Sequence, residues 1–98
     1  MTHYRKKTLP RFYQERKEKS YLVVFPDQRN YSGNIEAATN GYFGPNPSLW
    51  ASAVSDLYLR NHCKRVHWPD IPAEWQQALA HWLEDKELDA IKAHYQNQ

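Results

Sequence analysis

Trp50, Ala53, Val54 and Leu57 recur at i, i+3, i+4 and i+7, and Trp75, Ala78, Leu79 and Trp82 repeat that spacing further along the chain. Such spacing puts four apolar side chains on one face of an α-helix. Two stripes of this kind bury each other when the helices lie side by side, so the pattern predicts a helical hairpin. Local signals agree with it. Asn46 can cap free amides and Pro47 suits the first helical position, while Asp70 or Pro72 opens the second helix. Beyond Leu83, the acidic run Glu84-Asp85-Lys86-Glu87 precedes Leu88, Ile91 and Tyr95. Their stripe is out of phase with the previous one, which predicts a kink or a third helix with a partner-facing end.

Only one segment reads as a confident strand. Tyr21-Leu22-Val23-Val24-Phe25 is apolar, rich in β-branched and aromatic residues, and stopped by Pro26. A lone strand needs a partner, and Lys64-Arg65-Val66-His67 is the available candidate. Residues 26–47 hold all three glycines, three prolines and four asparagines, and so read as turns with a short helical turn at residues 35–39. The expected fold class is α+β and mostly helical: a helical hairpin, a short strand or minimal two-stranded sheet, and a basic N-terminal arm. The arm covers residues 1–20 and is expected to be extended or half-ordered; residues 21–98 form one small domain. A chain of 98 residues buries only roughly 60–65% of the surface exposed on unfolding. The four tryptophans therefore supply much of the core, at about 150–250 Å² for each large ring.

Charge divides unevenly along the chain. Residues 1–20 carry seven bases and two acids, a net of +5, and residues 21–98 carry six bases and nine acids, a net of −3. A cationic arm on a mildly acidic body suits a protein that touches something large. Within the arm, Tyr4, Arg5, Lys6, Lys7, Arg11, Phe12 and Tyr13 combine charges for phosphates with rings for stacking; such arms more often dock on proteins, and a merely solvated tail is the third reading. The rings of Tyr42-Phe43-Gly44-Pro45 offer either a partner anchor or one more core residue.

No catalytic pattern accompanies these residues. GxSxG, Walker, HExxH and paired-carboxylate arrangements are missing, so the chain reads as a non-enzyme without cofactor or metal. His62, Cys63 and His67 have the wrong spacing for a structural zinc site, and His81 reads as solvent-facing or satisfied. One cysteine cannot close an internal disulfide, no apolar leader opens the chain, and no run approaches the length of a membrane span; the reducing cytoplasm is the expected compartment. Trp68-Pro69-Asp70 stands between the expected helices, and an exposed aromatic-proline bond there would suit a prolyl isomerase, its ring and proline entering an apolar cleft. Burial of Trp68 in the core is the competing reading.

Over its whole length, in the basic opening Tyr4-Arg5-Lys6-Lys7-Thr8-Leu9-Pro10 and in the helical second half, the sequence resembles the accessory anti-RecBCD proteins of lambdoid Salmonella phages. The resemblance implies a phage-encoded, non-enzymatic modulator that works in the host cytoplasm. It would bind the host RecBCD helicase-nuclease through RecC and meet DNA only indirectly, through that enzyme. Chi response and recombinase loading would be altered in favour of phage recombination. A host peptidyl-prolyl isomerase is implied as a second partner, which meets the independent reading of Trp68, Pro69 and Asp70. The alternative is a small protein that binds single-stranded DNA with its basic aromatic arm.

Overall fold

The structure, a computed structural model, describes residues 8–40 and 46–96. Its described strands are β1 (Arg11–Glu15), β2 (Tyr21–Arg29), β3 (Ile35–Thr39), β4 (Trp50–Val54) and β5 (Cys63–Val66). Helices α1 (Asp56–His62), α2 (Ala73–Ala80) and α3 (Asp85–Gln96) and a one-turn 3-10 helix at Trp68–Asp70 complete the fold. The strands form one antiparallel sheet in the order β4-β3-β2-β1-β5. Three successive hairpin neighbours account for β1 to β4, and α1 then carries the chain back across the sheet to its other edge.

This arrangement replaces the mostly helical hairpin expected from the sequence. The stretch read as its first helix is the edge strand β4, paired residue for residue with β3 from Ile35↔Val54 to Thr39↔Trp50. Its apparent helical stripe has no core to face: Trp50 is 53% and Leu57 62% exposed, and Val54 is the buried member. Residues 35–39, expected as a helical turn, form β3 for the same reason, since pairing on both sides outweighs weak local preference. Strand β2 runs past Pro26 because its pairing shifts between Phe25 and Arg29, and a proline inside such an irregularity has no ladder hydrogen bond to break. Residues 63–66 are a strand, but they pair with β1 and not with β2.

The N-terminal segment is the largest departure. Residues 11–15 are not part of a half-ordered arm; they lie between β2 and β5 in the interior of the sheet. The turn that follows is held by Glu15, whose carboxylate accepts from the amides of Lys17 and Glu18 while Lys19 takes the left-handed conformation. The next strand is thereby set antiparallel.

Strand alternation divides the apolar residues between two cores. Phe12, Val23 and Ala38 face α2, α3 and the 3-10 turn, where Trp68, Ile71, Trp75, Leu79 and Ile91 pack against them. Leu22, Val24, Ile35 and Ala37 face the opposite way, toward Leu59 of α1. The second expected stripe is found in part: Trp75 and Leu79 are buried on α2, Ala80 and not Ala78 packs beside them, Trp82 joins from beyond the helix end, and the ring of Trp75 meets Tyr21 at 5.5 Å. A third helix also follows, burying Ile91 with Leu88 and Tyr95 alongside. No described helix is long and apolar enough to cross a membrane.

Candidate functional site

Helix α1 begins where the Ser55 hydroxyl accepts the Tyr58 amide at 3.0 Å, a side-chain cap on its first turn. Its route across the sheet decides what the rest of that face can do. It leaves Val54, which aligns with Ile35 and through it with Arg29, and ends at Cys63, which aligns with Glu15 at the other end of the strands. The helix therefore lies on a diagonal. With seven residues it spans about 10 Å, against about 19 Å for five strands. One uncovered corner lies at the start of β1 and the ends of β2 and β5.

Three arginines meet at that corner. A groove of about 270 Å³ is lined by Arg11, Tyr13, Arg29, Asp56 and Arg60. Arg65 sits opposite Tyr13 across the β1–β5 ladder, on the same face. Arg29 is held by Asp56 (Nη1 to Oδ2, 3.1 Å) and also donates to the Gly33 carbonyl. The guanidinium keeps the Asp56 carboxyl below its ordinary range, so this pair persists into mild acid. Among the described residues no carboxylate lies within ion-pair distance of Arg11 or Arg65. A second groove, about 390 Å³, continues past Arg11 toward α3; Leu9, Phe12, Val66 and Ile91 form its apolar lining and Arg65 and His94 its basic side.

Charge also divides between the two parts of the chain. Residues 1–66 hold eleven bases and five acids, a net of +6, whereas residues 67–98, which include α2 and α3, hold two bases and six acids, a net of −4. The acidic side also carries the Trp68-Pro69-Asp70 turn. Trp68 is 7% exposed, its ring 5.1 Å from Phe12, and its carbonyl accepts from Gln76 Nε2 at 2.8 Å. Its ring is therefore core and is not available to enter a partner's cleft. Pro69 and Asp70 are exposed, and the bond between Trp68 and Pro69 is trans. On one side of this turn His67 Nδ1 and the Tyr95 hydroxyl are hydrogen-bonded at 2.9 Å. Pro69 is presented, exposed, on a one-turn 3-10 helix.

The expected partner contacts divide accordingly. Arg11 is exposed and Tyr13 lines the arginine groove, but Phe12 is 3% exposed, committed to the core by the alternation of β1. Tyr4, Arg5, Lys6 and Lys7, and the Tyr42-Phe43-Gly44-Pro45 loop, lie outside the described residues. Arg29, Arg60 and Arg65 were not legible as part of a site: they are scattered through the sequence, and only the sheet order brings them beside Arg11.

Beneath α1, Cys63 is buried next to Tyr58 and Glu15. Burial, with a smaller contribution from the Glu15 charge, pushes the thiol up to about 11, and burial raises the Tyr58 phenol to about 12. The thiol is expected to be inert. At pH 8 its reaction with a disulfide reagent should be roughly a hundredfold slower in the folded chain than in urea, because so little thiolate exists. Equal rates would place Cys63 at the surface. No described group of three His, Cys, Asp or Glu side chains is positioned to hold a metal ion.

Compared with known protein families, with curated proteins and with solved structures, the chain matches none.

Proposed function

We propose that this chain is a non-enzymatic adaptor that binds the host RecBCD helicase-nuclease through RecC, alters its Chi response and recombinase loading in favour of phage recombination, and brings a host prolyl isomerase to the complex. The sequence resemblance supplies these partners. One structural observation supports an adaptor: two docking faces of opposite charge lie on one small domain, a basic grooved side around β1, β5 and α1 and an acidic side that presents Pro69. In this reading the apolar groove lined by Leu9, Phe12, Val66 and Ile91 meets RecC, and Pro69 with Asp70 meets the isomerase. Trp68 acts from the interior, fixing the turn that carries them.

Two measurements test the halves separately. The chain should co-elute with RecBCD in size-exclusion chromatography at micromolar concentration without DNA; folded protein that elutes alone removes RecC as partner. Pro69→Ala should lower isomerase affinity about tenfold or more by calorimetry, with RecBCD co-elution and the far-ultraviolet spectrum unchanged. Unaltered affinity would show that the isomerase docks elsewhere.

A further inference from the structure

We infer that the corner left open by α1 is a cradle for the phosphodiester backbone of single-stranded nucleic acid, a contact separate from the protein docking proposed above. Arg11, Arg29 and Arg60 line it with Tyr13 in the wall between them, and Arg65 lies beside Tyr13 across the β1–β5 ladder on the same face. Each arginine stands on a different element: β1, β2, α1 and β5. The sheet and its crossing helix thus assemble a positive trough from residues far apart in the chain.

The chemistry favours phosphate. Guanidinium groups present planar, paired donors that match phosphate oxygens, and they keep their charge at every physiological pH. Arg11 and Arg65 are diagonal neighbours across β1 and β5 with exposed side chains, separated by roughly 7–8 Å at their backbones. That spacing suits a charge repeated along a polymer better than a single carboxylate. Asp56 is the acid that lines the trough, and it is engaged by Arg29. Asp27, next in the chain to the lining residue Pro26, accepts the Thr8 amide at 2.7 Å. The four arginines outweigh both acids. The Tyr13 ring in the wall of the trough offers a face on which an unpaired base can stack, which favours a single strand.

The test is fluorescence anisotropy of the isolated chain with a labelled oligothymidylate at several salt concentrations. Binding should fall steeply with salt, since each neutralised phosphate contributes about 0.7 to the slope of log affinity against log salt for a single strand. Arg11→Ala with Arg65→Ala should lower that slope by about 1.4 and weaken binding roughly tenfold at low salt. Lys86→Ala with Lys92→Ala removes the same charge from the acidic side and should change affinity less than about twofold. Arg60→Ala, on the exposed surface of α1, gives an independent reading, and circular dichroism establishes that each variant folds. Three outcomes overturn the inference: no binding at low salt, equal losses from the two paired variants, or poly-glutamate bound as tightly as the oligonucleotide and lost with the same arginines. The last would identify the cradle as a site for acidic protein.

Discussion

Trp68→Ala is expected to destabilise the fold by about 3–5 kcal/mol, the range for removing a buried large aromatic side chain. The ring packs on Phe12 at 5.1 Å within the cluster that joins β1 and β2 to α2 and α3. Its loss removes contacts from both layers at once. A domain of this size has about 5–15 kcal/mol of stability in all, and each kcal/mol moves its melting temperature by about 4–8 °C. Trp50→Ala is the control, since Trp50 is 53% exposed on the edge strand, and should cost about 1 kcal/mol or less. Urea titrations of both variants make the comparison. Equal losses would return Trp50 to the core and count against β4 as an edge strand.

Deletion of residues 1–15 is expected to abolish folding. Without β1, strand β5 has no partner in the sheet and β2 loses one of its two neighbours. Phe12 leaves the core with it, exposing Trp68 and Val23. The crossing helix α1 then ends on a strand with nothing to pair with. The truncated chain should show no cooperative melt and collapsed amide dispersion in a proton–nitrogen spectrum. A solvated arm would come away without effect, so an unchanged melt would overturn the sheet order. Phe12→Ala asks the same question more gently and should cost about 3–5 kcal/mol.

These two experiments fall where sequence reasoning and structure part. The bases of the N-terminal segment were visible, but their setting was not. Arg11, Phe12 and Tyr13 look alike as members of a basic aromatic tail, whereas β1 sends Phe12 to one core and Tyr13 to the other face beside the arginines. The same alternation divides the site. The sequence leaves Trp68 open between half of an isomerase ligand and a core residue; the structure buries its ring and leaves Pro69 and Asp70 outside. Arg29, Arg60 and Arg65 carried no local signal, because their proximity to Arg11 depends on which strands are neighbours.

From the sequence alone came the apolar stripe of Trp75 and Leu79, the third helix, a strand starting at Tyr21, a cysteine with no partner and the unequal spread of charge. Helix α2 was readable because a helix closes its hydrogen bonds within its own segment, so four residues of spacing state its buried face. Tertiary structure decided the rest. Trp50, Ala53, Val54 and Leu57 repeat as a helix would, yet residues 50–54 pair with β3 as a strand, which their local spacing does not announce. A strand's hydrogen bonds go to other segments; β3 supplied them to β4, as β2 and β5 did to β1.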